Sequence, residues 1–219
     1  RCLVGSEMCI RDSCVSIQAD MKKESQVIFD KNVIEFVTVA AEFCAFLERA
    51  ESMKRSTFVD TTLKILPLLY LKASMLPKCE MIGDESPETY VTEEIYEVLR
   101  INLASILAEK DDYLEVFLPD MAYSDEPIKK NISEDLADIY QDIKDFIFVF
   151  QLGLNETMND SLAICQENFG LLWGQKLVNT MRALHDVKYS SKARGEDEEE
   201  EEYEPENNED CHCEDDDCH

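Results

Sequence analysis

The stretch SEDLADIYQDIKDFIFVF, residues 133–150, decides the fold. Leu136, Ile139, Tyr140, Ile143, Phe146, Ile147 and Phe150 recur at short helical steps, which return side chains to one face of an α-helix. Ser133 stands where an N-cap is expected, and Gly153 fits the stop. The closing FIFVF is apolar on every side. A helix carries such an end only where neighbours cover it, so this end is expected at the centre of a core. A short turn through Asn155 leads into a second apolar series, Leu162, Cys165, Phe169, Leu172, Trp173, Leu177, Met181 and Leu184. The brevity of the turn makes the two helices an antiparallel hairpin.

The same period runs upstream. Asn32 followed by Glu35 reads as a capping box, opening a helix to about Ala50 with Val33, Phe36, Val37, Ala40, Cys44 and Leu47 on one face. Val59, Leu63, Leu66, Tyr70 and Ala73 mark another helix, and Pro67 inside it predicts a kink or a boundary. Residues 77–91 are a loop by their Pro, Gly, Asp and Ser content. Thr92 caps a further helix, with Glu93 and Glu94 against its N-terminal dipole and Ile95, Leu99, Asn102 or Leu103, and Ile106 on its face. The fold class is therefore all-α: a single bundle of about five helices over residues 21–189.

The two ends read differently. Residues 1–13, RCLVGSEMCIRDS, resemble a translated sequencing adapter, so residues 1–20 are expected to be a non-native or disordered leader and Met21 the natural start. Residues 196–219 hold 15 acids and no Lys or Arg, against 33 acids and 21 bases upstream. Such a segment buries too little to offset its ordering entropy, so 190–219 is expected to be a disordered acidic tail. The net charge of −27 opposes binding to phosphate backbones and anionic membrane surfaces. No stretch of 18 uncharged apolar residues, the length that would span a bilayer, occurs. Cys44, Cys79 and Cys165 are scattered and odd in number, which fits free thiols in a cytoplasm.

From Met21 to about Tyr189 the chain resembles a family of uncharacterised bacterial helical proteins, domain of unknown function family 5063. VIEFVTVAAEFCAFLE, LKILPLLYLKASMLP and FGLLWGQKLVNTMRALH carry the resemblance. It implies an all-helical fold, offers no established activity and carries no catalytic motif to transfer.

Candidate sites are few. The closing CHCEDDDCH offers Cys211, His212, Cys213, Cys218 and His219, thiolates and imidazoles of the kind that bind zinc or another divalent transition metal. The surrounding acids concentrate cations but hold thiols protonated, and no C-x-x-C pair is present. The 111–127 connection is long for a loop. Its Tyr113, Leu114, Phe117 and Tyr123, set among acids, either cap the bundle or form a partner surface. His185-Asp186 lacks the further histidines that a metal phosphohydrolase needs, and a helix C-terminus suits His185 better. Gly170 and Gly174, one turn apart around Trp173, predict a close approach of another helix. Nucleophile elbows, phosphate loops and dinucleotide fingerprints are missing.

The expected function is that of a cytoplasmic, non-enzymatic protein acting through contact with an unidentified protein partner, its tail binding divalent or soft metal ions. One alternative makes the Cys/His tail the functional element. Another is an enzyme with a carboxylate and tyrosine site, which a deep pocket holding several carboxylates of raised pKa would mark.

Overall fold

The structure, a computed structural model, describes residues 27–115 and 128–193. The expected leader, Phe117, Tyr123 and the Cys/His tail lie outside the described residues. The described chain is helical as expected: α1 (Lys31–Glu48), α2 (Arg55–Ser74), α3 (Glu93–Leu107), α4 (Ile132–Gln151), α5 (Asn155–Asn168) and α6 (Gly174–Ala193). A π-helical turn, Phe169–Trp173, joins α5 to α6 without a break, so together they make the fifth helix read from the sequence. The helix α4 is central, packing against α1, α3, α5 and α6. Its Phe146, Ile147 and Val149 are buried, which places FIFVF in the core as expected.

The helix ends show which local signals prevail. Thr92 caps α3, its Oγ1 accepting the Ile95 N–H at 3.3 Å. Gly153 turns α4 into α5 at φ +75°, a conformation without cost to a residue lacking Cβ. The capping box at Asn32 is not formed. Asp30 caps α1 instead, its Oδ1 accepting the Asn32 N–H at 2.8 Å. Glu35 is drawn away to Lys72 of α2, at 2.6 Å. Nor does Ser133 cap α4 by itself. Asp111, 22 residues upstream, accepts the Ser133 N–H at Oδ1 and the Ser133 hydroxyl at Oδ2, both at 2.7 Å. Its main-chain carbonyl accepts the Ile132 N–H at 2.8 Å.

Pro67 ends nothing: α2 runs through it, with the ring in solvent. Val59, Leu66 and Ala73 are buried on α2 as expected and Leu63 partly so, but the buried face also takes in Phe58, Thr62 and Leu69 and leaves out Tyr70. Tyr70 is 41% exposed and meets Phe169 edge-on, ring centroids 5.2 Å apart. Thr62 can be buried because its hydroxyl donates back to the Phe58 carbonyl at 2.7 Å.

The long connection after α3 contains a small antiparallel hairpin: β1 (Asp112–Glu115) against β2 (Ile128–Asn131), with Asp112 opposite Asn131 and Glu115 opposite Ile128. Residues 75–92 remain a loop, as expected, but a tightly held one. At one end Asp160 accepts the N–H groups of Ile82 and Gly83 at 2.7 and 2.9 Å. Asn159 and Gln166 bind its main chain as well. At the other end Asp145 accepts the N–H groups of Tyr90 and Val91 at 2.7 and 2.8 Å. The loop is thus a strap between two anchor points.

Candidate functional site: an aspartate ladder beside a cavity

The face of α4 beside its apolar stripe carries Asp135, Asp138, Asp142 and Asp145, at steps of three, four and three. Four like charges one turn apart weaken a helix unless each finds a partner. Each does, and the partners come from β1, α3, α5, α6 and the strap. Asp135 accepts the Tyr113 hydroxyl of β1. Asp138 accepts the Tyr96 hydroxyl of α3 at 2.8 Å and pairs with Lys176 of α6. Asp142 accepts Nδ2 of Asn168, at the end of α5, at 2.6 Å. Asp145 holds the strap. Among the described residues only Asp138 forms an ion pair; neutral donors hold the other three, although Lys176 also draws on Asp135 and Asp142 and Lys130 on Asp135.

Burial therefore dominates their titration. It pushes Asp135 up to about 6, against the Tyr113 hydrogen bond that favours the charged form. Asp142 is raised by burial against the pull of Asn168. Asp145 is raised by burial against the two strap N–H groups. The same burial, reinforced by the neighbouring aspartates, raises Tyr96 and Tyr113, which stay protonated donors.

Three rungs of the ladder, Asp138, Asp142 and Asp145, open on a cavity of about 390 Å3. Such a volume lies within the roughly 300–1,000 Å3 typical of small-molecule sites. Its floor is apolar, from Phe146 and Val149 of α4, Ile164 of α5 and Leu172 of the π turn. Asn168, Lys176 and the thiol of Cys165 complete the inner wall, and Pro87, Glu88 and Thr89 of the strap form the outer one. Burial pushes the Cys165 thiol well up, and nearby Asp142 adds to it, so the sulfur is a neutral part of the floor.

The π turn shapes this wall. Its Gly174 N–H reaches back to the Phe169 carbonyl, one residue further than an α-helix allows. The extra residue brings Trp173 fully into the core, where Nε1 donates to the Cys165 carbonyl at 3.1 Å. It turns Leu172, expected inside, to the cavity rim at 52% exposure. The glycines do not serve helix packing as expected. Gly170 faces open space, and a Cβ on Gly174 would stand 2.3 Å from the Phe169 carbonyl of its own turn.

The residues singled out from sequence fall elsewhere. Cys211, His212, Cys213, Cys218 and His219 lie outside the described residues, as do Phe117 and Tyr123. Tyr113 is half-buried and tied to Asp135, whereas Leu114 is 53% exposed. Both share the wall of a second cavity, about 660 Å3, with His185 and Asp186. Of its carboxylates, Glu109 pairs with Arg55, Glu115 accepts the Asn179 amide and Asp186 accepts the Ser190 hydroxyl. His185 lies against Tyr189 with the rings tilted and their centroids 4.5 Å apart, two turns before the end of α6 rather than at it. Among the described residues no group of three His, Cys, Asp or Glu is placed to hold a metal ion, and no helix is long and apolar enough to cross a membrane. The ladder was present in the sequence as four acids at helical steps, but such a pattern ordinarily marks a solvated face.

Fold and site define an all-α bundle with an acid-lined cavity against a π turn. A family model described as Domain of unknown function (DUF5063) matches residues 27–190, and the chain belongs to that family. A crystal structure of a Bacteroides fragilis protein, determined as a structural-genomics target, is similar to it. The two are 92% identical with a TM-score of 0.69, over 77% of this chain and 99% of the other. No curated protein matches the chain.

Proposed function

We propose that the bundle is a small-molecule-binding module and that its site is the cavity beside the aspartate ladder. One observation carries this reading: carboxylates desolvated by burial and held by neutral donors face an apolar-floored cavity large enough for a ligand. Buried charge of this kind costs stability, and a cavity beside it gives that charge something to bind. A thermal-shift screen of a metabolite collection tests the proposal. A ligand that binds the folded state raises Tm as its concentration exceeds Kd. Ile164→Phe, which fills the floor, is expected to abolish the shift. A collection that shifts neither protein, or both equally, overturns the reading.

Protein contact is the second reading, and the hairpin supports it. Leu114 and Ile128, one on each strand, are 53% and 46% exposed. A partner that uses this face is lost from pull-downs with Leu114→Asp and retained by Ile164→Phe. Metal capture by the Cys211–His219 tail rests on its ligand density alone and is tested by zinc titration of the full chain. Affinity no tighter than millimolar removes it. A cytoplasmic setting belongs to the proposal too, supported by the free thiols of Cys44, Cys79 and Cys165.

A further inference from the structure

We infer that the ligand of this cavity is an organic cation, a protonated amine carried on an apolar arm. The inference rests on the cavity being a ligand site and deepens that reading. The cavity wall carries Glu88, Asp138, Asp142 and Asp145 against Lys176 as its one cation. Lys176 is already committed to Asp138. Asp142 and Asp145 enter no ion pair among the described residues; an amide and two main-chain N–H groups are their hydrogen-bond donors. Among the described residues the wall therefore sets one ammonium, which also draws on Asp142, against four carboxylates, and burial has partly stripped Asp142 and Asp145 of water. An incoming ammonium adds positive charge together with N–H donors.

A second feature points the same way. Cys165 is 2% exposed and lines the cavity, yet its sulfur makes no hydrogen bond among the described residues. A buried free thiol behaves as a small hydrophobe, and this one belongs to the cavity lining close to Asp142. As a protonated thiol it offers a soft, weakly polar contact that suits a hydrocarbon arm. Phe146, Val149, Ile164 and Leu172 extend that surface. A bare metal ion fits poorly, because it needs several converging ligands and the described residues gather no such group. An anion meets the carboxylates head-on. A neutral ligand leaves their charge where it was.

Three probes of one shape separate these cases by calorimetric titration of the full chain: phenethylamine, 2-phenylethanol and 3-phenylpropionate. The amine is expected to bind at least tenfold more tightly than the alcohol, and the acid not measurably. Asp142→Asn can still accept the Asn168 amide, and it is expected to erase the preference by weakening the amine tenfold while leaving the alcohol unchanged. Added salt serves as a second measure that needs no variant: raising it must weaken the amine and spare the alcohol. Alcohol or acid binding as tightly as amine in the wild type, while Ile164→Phe still abolishes binding, overturns the cationic class and leaves the cavity site standing. Binding of none of the three, with a metabolite screen also empty, overturns both.

Discussion

The carbonyl oxygen of Phe169 lies 2.3 Å from where a β-carbon on Gly174 would stand. No side chain fits at that distance, so the π turn and its glycine require each other. Gly174→Ala must either unwind the turn, moving Trp173 from the core, or shift the carbonyl. Overpacking of this sort costs about 1–3 kcal/mol. Gly170 is the control, since a Cβ there meets nothing within 4 Å. Gly170→Ala in an exposed helix position is expected to stabilise by about 0.5–1 kcal/mol. Urea unfolding of both variants, followed by the single tryptophan of the chain, should show midpoints moving in opposite directions.

The cap of α4 gives a non-local prediction. Asp111 serves both the N–H and the hydroxyl of Ser133, and both residues are buried. Asp111→Ala leaves two buried donors without an acceptor, and a loss of roughly 2–3 kcal/mol is expected. Ser133→Ala removes only one of them. The two losses are not additive, because the second change has less to break once the first is made. A double-mutant cycle by urea denaturation reads the coupling; a coupling near zero removes Asp111 from the role of cap.

These two sites show where sequence reading ran out. The apolar faces of α1 and α4 were legible because burial follows the helical period, and Thr92 was legible because its partner lies three residues away. Ser133 was misjudged because its partner comes from 22 residues upstream, a distance over which no local pattern speaks. The π turn hid because Cys165, Phe169 and Trp173 keep four-residue steps across it; only the exposure of Leu172 betrays the extra residue. The hairpin strands DYLE and IKKN have no alternation to announce them. The aspartate ladder was visible as spacing but not as a site. Its meaning depends on Tyr96, Tyr113, Asn168 and Lys176, which tertiary structure alone brings to α4.

The strap over the cavity should loosen without unfolding the bundle. Asp160 is buried and binds two strap N–H groups, and a Cβ on Gly83 would come within 2.8 Å of its Oδ2. Asp160→Ala frees the strap at that end while Asp145 still holds the other. Residues 84–89 are mostly exposed, so released main chain can turn to water. Limited proteolysis with mass-spectrometric mapping is expected to show cleavage within residues 80–89 at least tenfold faster than in the wild type. Cleavage at an unchanged rate would show that Asn159 and Gln166 suffice to hold the strap.

Asp135 predicts a pH dependence opposite to that of most carboxylates. In the unfolded chain it titrates near the ordinary 3.8, and in the folded protein near 6. Between these values the folded state binds the extra proton. Stability from this group is therefore complete below about pH 4 and declines as pH rises through 6. Two pKa units correspond to about 3 kcal/mol. Asp135→Asn imitates the protonated form and still offers Tyr113 an acceptor, so it should match the wild type near pH 4 and exceed it by about 3 kcal/mol at pH 7. Other carboxylates titrate in both proteins and cancel in the difference. Urea unfolding of the pair at pH 4, 5, 6 and 7 measures that difference directly. A gap that stays constant across the series would mean that Asp135 titrates alike in the folded and unfolded chains, and that its burial beneath Tyr113 exacts no electrostatic cost.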